Sequence, residues 1–231
     1  MKQQLFALAF CTSTFVAAQA ASPGARGLMG RPTDSVTRNG YTLIVYNLQP
    51  DFDTVTRRRM IEAFFEVYPK EARRFNVSTS RKVTFTIDPS YNGVAETGED
   101  RVRYNPRWLK EHPEDIDVVT HEVMHIVQDY RYPVPGWLTE GIADYARYVY
   151  GVNNLRGNWK LPEFKATQHY TDAYRVTARF LLWIEKKKYR GIVDSLDKAA
   201  RDGKYTFQLW AKLTGESVDQ LWEDYSKDPI I

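Results

Sequence analysis

The sequence predicts an α+β fold in which short strands occupy the N-terminal half and the C-terminal half is mostly helical. Two runs rich in β-branched and aromatic residues, 41–46 and 83–87, are typical of strands. Between them, residues 53–75 carry apolar side chains at helical spacing with arginines on the other side, which predicts an amphipathic helix. The chain after about residue 170 follows the helical pattern.

The middle of the chain is predicted to hold a hairpin and two further helices. Residues 88–93, Asp-Pro-Ser-Tyr-Asn-Gly, are typical of a turn. The two short segments within 94–104 favour a hairpin at a sheet edge, and a solvated turn is the alternative. A proline followed by two acidic residues predicts a helix over 113–128, and a second helix is predicted over 137–150 after a proline-rich break.

Two tryptophans near the C terminus lie in two short amphipathic segments. Trp210 and Trp222 are separated by Gly215 and by a capping pair, Ser217 and Gln220. We interpret the segments as two helices that each bury a tryptophan, in preference to a true repeat.

Length and composition favour one globular domain behind an export signal. The chain has 231 residues, of which 43% are hydrophobic, enough for one substantial core. Residues 1–20 combine a basic start, an apolar stretch and small residues around Gln19, which is typical of a signal peptide. Residues 21–40, rich in Gly, Pro, Ser and Arg, are predicted to be a flexible N-terminal arm. The single domain is then expected over 41–231.

These features limit the partners and the location that we expect. The net charge of +3 is too slight to indicate a nucleic-acid partner. No apolar run after the signal approaches the roughly 20 residues of a membrane span. We therefore expect a secreted monomer, extracellular or alternatively periplasmic, with no nucleic-acid partner and no membrane span.

One stretch, Thr-His-Glu-Val-Met-His over 120–125, carries the strongest chemical signal. A helix advances about 100° per residue, so His121 and His125 lie about 40° apart and their imidazoles can converge on one ion. Glu122 falls on the neighbouring edge of that face, where a carboxylate can act as a general base. The alternative is an ordinary polar helix face. A third ligand is needed to decide between them.

Residues after the second histidine offer that ligand. A third histidine in the pattern HExxHxxGxxH is excluded, because Gln128 and Arg131 occupy the required places. A glutamate from a later helix is the other known arrangement, and Glu140 lies fifteen positions after His125. Asp144, one turn beyond, can accept a hydrogen bond from the other ring nitrogen of a ligand histidine. The alternative is a pair of solvated acids near a helix N-terminus.

Three segments, 117–125, 135–145 and 169–183, resemble the basic secretory protein family, and weaker similarity extends from about residue 41 onward. That family resembles a branch of the gluzincin metallopeptidases. The resemblance implies a zincin-like fold, with a small twisted mixed sheet packed on the active-site helix and a mostly helical C-terminal half.

The resemblance also implies a role for each of the residues already singled out. It implies a Zn²⁺ site in which His121, His125 and Glu140 are the ligands, Glu122 is the general base and Asp144 lies behind the ligands.

A tyrosine on a later helix often donates to the developing oxyanion in gluzincins. The resemblance implies Tyr170 as the first choice for this catalytic role and Tyr174 as the second, although either can instead be a core or rim tyrosine. For His169 we favour a surface role over a ligand role.

The function implied is that of a secreted zinc-dependent endopeptidase acting on a peptide or protein substrate. One alternative is a non-catalytic defence or cell-wall binding protein with a structural zinc. Another is an aminopeptidase or amidase that uses the same metal chemistry.

Overall fold

A five-stranded mixed sheet lies in the N-terminal half of the chain in the computed structural model, which describes residues 31–231. Its strands lie in the order β1-β2-β3-β5-β4, with parallel pairing of β3 to both β2 and β5 and antiparallel pairing of the two outer pairs. The strands are β1 (Asp34–Arg38), β2 (Tyr41–Asn47), β3 (Lys82–Ile87), β4 (Ala95–Gly98) and β5 (Arg101–Tyr104).

Helices supply most of the remaining structure, and the C-terminal half is mostly helical as predicted. A single 3-10 turn at Tyr170–Asp172 precedes the last four of the helices described in residues 31–231. The helices are α1 (Thr54–Arg74), α2 (Pro106–Glu111), α3 (Val118–Gln128), α4 (Gly136–Tyr150), α5 (Tyr174–Lys187), α6 (Ile192–Arg201), α7 (Gln208–Thr214) and α8 (Val218–Lys227).

The predicted flexible arm over 21–40 is wrong in its last part, because residues 34–38 form β1. Asn39 and Gly40 have φ values of 50° and 79° and join β1 to β2 as a two-residue turn. Positive φ at both central residues matches the twist of the flanking strands, which makes Asn-Gly a strong hairpin signal. Residues 21–30, and the signal peptide predicted over 1–20, lie outside the described residues.

Helix α1 packs on the sheet much as its apolar spacing predicts. The Asp53 side chain caps it by accepting a hydrogen bond from the Thr56 amide at 2.7 Å. The Phe64 ring stacks on Tyr68 with centroids 4.9 Å apart and meets Phe85 of β3 edge-on at 5.6 Å. These rings form the centre of the layer between helix and sheet.

Helix α3 is the central helix of the fold and contacts α1, α4, β4 and β5. All of its residues except His125 are buried. It begins five residues later than the predicted start at position 113. The acidic residues before it do not begin the helix but accept hydrogen bonds from other segments. Asp115 accepts one from the Trp108 indole at 2.8 Å, and Asp117 accepts from the backbone amides of Val152 and Asn153.

The last two helices bury one tryptophan each, as predicted. Trp210 is fully buried in α7, and Trp222 of α8 lies against the Phe180 ring with centroids 5.1 Å apart. Gly215, with φ 86°, ends α7, and a reciprocal capping box of Ser217 and Gln220 begins α8. Within residues 31–231, no helix combines the length and apolar character needed to cross a membrane.

Candidate metal centre

A tight reversal brings α4 back against α3. Helix α3 is capped at its C-terminus by Asp129, whose φ of 41° is left-handed and whose amide donates to the His125 carbonyl. Aspartate tolerates this conformation better than most residues, so it can end a helix where glycine is usual. Pro135 then precedes α4, and the two helices pack together. The histidines of one helix therefore face the acids of the next.

Three side chains converge at this contact, two from α3 and one from α4. The Nε2 atoms of His121 and His125 lie 3.2 Å apart, and Glu140 Oε2 lies 3.1 Å and 3.6 Å from them. Ligand atoms about 2.1 Å from a tetrahedral zinc ion are separated by about 3.4 Å. The observed triangle therefore fits one divalent cation, and a His₂Glu set is one that catalytic zinc uses.

The ring nitrogens that point away from this triangle are held by hydrogen bonds. His121 Nδ1 lies 2.7 Å from Asp144 Oδ1, and His125 Nδ1 lies 2.7 Å from Gln128 Oε1. The Gln128 amide in turn donates to the Thr139 carbonyl of α4 at 2.9 Å. With Nδ1 as the donor in each bond, each Nε2 is left to offer its lone pair to an ion that replaces the proton at the shared site.

Carboxylates make this site favourable for a positive charge. Burial acts to lower the pKa of His121, but the hydrogen bonds with Asp144 and Glu140 outweigh it and hold that pKa well above its ordinary value. Burial acts to raise the pKa of Glu140, yet its bonds with His121 and His125 hold it far below its usual range. The same carboxylates that stabilise a proton here would stabilise a metal cation in its place.

Exposure differs across the cluster in a way that suits a site open to substrate. His121 is buried, whereas His125 and Glu140 are partly exposed, with 28% of the Glu140 side chain accessible. A reacting group could therefore approach an ion bound at this site from the side of His125 and Glu140.

Glu122 lies beside this triangle and is bound to the sheet. Its Oε2 accepts a hydrogen bond at 2.7 Å from the hydroxyl of Thr97, which also lies 3.0 Å from the Glu122 carbonyl. Thr97 belongs to β4, the outer strand of the β4–β5 hairpin. The hairpin predicted at a sheet edge is thus confirmed, and it adjoins the metal-site helix.

The two candidate tyrosines occupy different surroundings. Tyr170 is 6% exposed, and its hydroxyl donates to Asp219 of α8 at 2.6 Å. Tyr174 is 53% exposed, and its ring lies nearly parallel to that of His121 with centroids 6.2 Å apart. The structure therefore places the second choice next to the metal cluster and the first choice in a bond to α8. His169 is exposed and caps the 3-10 turn.

The five residues singled out from the sequence lie at one site in the structure: His121, Glu122, His125, Glu140 and Asp144. Two residues that hydrogen-bond to them were not predicted. Gln128 carried a signal, because a residue three positions after His125 lies on the same helix face. Thr97 carried none, since its partner is 25 positions away and belongs to another kind of element.

A family model matches most of the chain. The match covers residues 40–225, and the family, BSP, is described as a peptidase of plants and bacteria. No curated protein matches the chain significantly.

Two similar solved structures are zinc metallopeptidases from Deinococcus radiodurans. The M1 zinc metallopeptidase is 13% identical with a TM-score of 0.43, and the match covers 85% of this chain and 47% of that one. A mutant of it bound to a Tyr-Ser-Ala substrate is 14% identical with a TM-score of 0.44, covering 85% and 48%. The chain thus spans about half the length of those structures.

Proposed function

The chain belongs to the BSP family of peptidases of plants and bacteria, and on that premise we propose that it is a secreted zinc-dependent endopeptidase of the gluzincin type. The observation that carries the proposal is the triangle formed by His121 Nε2, His125 Nε2 and Glu140 Oε2. Secretion is proposed from the signal-peptide pattern of residues 1–20.

The zinc would be held by the two imidazoles and the Glu140 carboxylate. Bound there, zinc would supply a water of lowered pKa and a Lewis acid for the scissile carbonyl. Asp144 and Gln128 keep the imidazoles in the tautomer that binds metal through Nε2.

Glu122 is proposed as the general base. With Oε2 engaged by Thr97, its other carboxylate oxygen, Oε1, is the one left to take a proton from the attacking water. The same oxygen would then deliver the proton to the leaving amine.

Oxyanion stabilisation is proposed for a tyrosine, and the geometry favours Tyr174 over Tyr170. The Tyr174 ring lies nearly parallel to that of the ligand His121, whereas the Tyr170 ring packs against Trp137 and its hydroxyl bonds to α8. A phenol that donates to the developing oxyanion acts most strongly in the transition state.

The outer edge of β4 is proposed to bind substrate as an extended strand. Among the strands described in residues 31–231, β4 ends the sheet order on the side next to α3. An edge strand offers unpaired backbone groups to an extended peptide. The scissile bond would then lie close to Glu122.

Metal analysis combined with peptide hydrolysis tests the proposal. We expect one zinc per chain and cleavage of a blocked peptide by the wild type. Glu122→Gln should keep the metal and lose turnover, and Glu140→Ala should lose both. Cleavage restricted to peptides with a free N-terminus would indicate an aminopeptidase. Bound zinc with no turnover of blocked peptides, free peptides or cell-wall fragments would indicate a binding protein with a structural metal.

A further inference from the structure

A hydroxyl on the edge strand reaches the proposed general base. Thr97 Oγ1 lies 2.7 Å from Glu122 Oε2 and 3.0 Å from the Glu122 carbonyl oxygen. A hydroxyl has one proton to donate, and the shorter bond to an ionised acceptor is the stronger of the two. The carboxylate is therefore held by a side chain of the sheet as well as by its own helix.

We propose that Thr97 is a positioning residue that fixes the Glu122 carboxylate so that Oε1 faces the reacting water. This inference rests on the function proposed above and names a residue that acts through Glu122. A glutamate side chain has three rotatable bonds, and a free carboxylate would spend part of its time away from the productive orientation. Fixing it beforehand raises the fraction of bound substrate that can react.

The position of Thr97 in its strand directs its hydroxyl toward the helix that carries Glu122. Along β4, Ala95 and Thr97 are partly buried and Glu96 is exposed, which is the alternation of a strand with one face packed. The packed face is turned to α3, where Glu122 lies in the first half of the helix. Threonine is β-branched, so it suits a strand and its hydroxyl has few rotamers to choose from.

The bond also joins two parts of the proposed mechanism. Substrate added to the edge of β4 would pair with the same strand that holds the base. The reacting carbonyl and the proton acceptor would then be positioned from one element, which reduces the error that independent motion of two elements would introduce.

Substitution of Thr97 by valine removes the hydroxyl and keeps the β-branched shape. We expect kcat to fall about tenfold to a hundredfold, the factor that corresponds to a hydrogen bond with a charged group. KM should stay within about threefold, since the hydroxyl is engaged with Glu122 and not with substrate. Zinc content should not change. Thr97→Ser restores the hydroxyl and should recover most of the lost kcat.

A threonine near the opposite edge of the sheet from β4 provides a matched control for Thr97→Val. Thr42 of β2 bonds to Thr37 at 2.9 Å, so Thr42→Val removes a strand hydroxyl far from the metal cluster in the fold. We expect its kcat to equal that of the wild type. Melting temperatures of all variants are measured in parallel. If Thr97→Val does not fold, Thr97→Ala takes its place in the comparison with Thr97→Ser.

Two results would overturn the role of Thr97 alone. One is an unchanged kcat in Thr97→Val with a lower melting temperature, which would make the bond a structural tie between β4 and α3. The other is an equal loss of kcat in Thr97→Ser and Thr97→Val, which would show that the hydroxyl by itself does not restore activity. A zinc-loaded wild type that hydrolyses no peptide would instead overturn the proposed function, and this inference with it.

Discussion

Replacement of Asp144 by asparagine tests the hydrogen bond behind the metal ligands. Asp144 is buried and lies 2.7 Å from His121 Nδ1. Asparagine keeps the size of the side chain and an acceptor oxygen, so it removes the negative charge with little change in packing. A hydrogen bond to a charged group contributes about 1.5–3 kcal/mol, and a neutral one about 0.5–1.5 kcal/mol.

The difference sets the expected loss of zinc affinity. About 1–1.5 kcal/mol corresponds to about a 5- to 13-fold higher dissociation constant for zinc in Asp144→Asn. This range overlaps the lower end of the 10- to 100-fold typical of residues that orient metal ligands. The measurement is competition for zinc against a chromophoric chelator of known affinity.

Asp129→Asn is the matched control for this substitution. Asp129 ends the same helix that carries the histidines, and its side chain is paired with Arg131 at the surface. Its zinc affinity should equal that of the wild type. A dissociation constant for Asp144→Asn within twofold of this control would contradict the prediction, because the charge behind His121 would then have no effect on zinc binding.

The same variant has a predicted pH dependence without metal. The pKa of His121 is held well above its ordinary value by Asp144 and Glu140. A raised folded-state pKa contributes stability that is full below the unfolded value of about 6.5 and is lost as pH rises through the folded value. The free energy of unfolding of metal-free wild type should therefore exceed that of Asp144→Asn most near pH 6. In denaturant unfolding from pH 6 upward, this difference in free energy should become smaller, and a difference that grows would contradict the prediction.

Three further predictions concern the tyrosines and the backbone. Tyr174→Phe should lower kcat about tenfold or more with zinc retained, whereas Tyr170→Phe should lower stability by about 1 kcal/mol and leave kcat unchanged, as judged by peptide hydrolysis and thermal unfolding. Gly141→Ala should destabilise the protein by about 1–3 kcal/mol, because a Cβ there would lie 2.3 Å from a threonine side chain of α5; denaturant titration would measure this. Gly40→Ala should lower the free energy of unfolding by about 1 kcal/mol, because the φ of Gly40 is 79°. At Gly136 an added Cβ would meet nothing within 4 Å and φ is not positive, so Gly136→Ala should leave the denaturation midpoint unchanged or raise it.

Local patterns predicted most of the helices and strands, and together with the family resemblance they predicted the triangle of His121, His125 and Glu140. The spacing of His121 and His125 fixes their shared helix face whatever the rest of the chain does, and the break before α4 permits the return that brings in Glu140. The start of α3 could not be predicted in this way. Its proline and acids match a helix N-terminus, but Asp115 and Asp117 bind distant segments, and tertiary contacts overrode the local preference.

The orienting contacts of the site are the part that sequence spacing cannot reveal. His121 is held from α4 by Asp144, and Glu122 is held from β4 by Thr97. His125 is held by Gln128, which is itself bound to α4 through the Thr139 carbonyl. None of these bonds needs the metal, so the geometry of the site is set by how α4 and the edge strand pack on a helix that is buried almost throughout. Because the conformational entropy of the ligands is lost when the chain folds, little of it remains to oppose metal binding or the approach of substrate. A substitution that alters the packing of α4 or β4 should therefore change metal affinity or turnover even where it contacts no metal ligand.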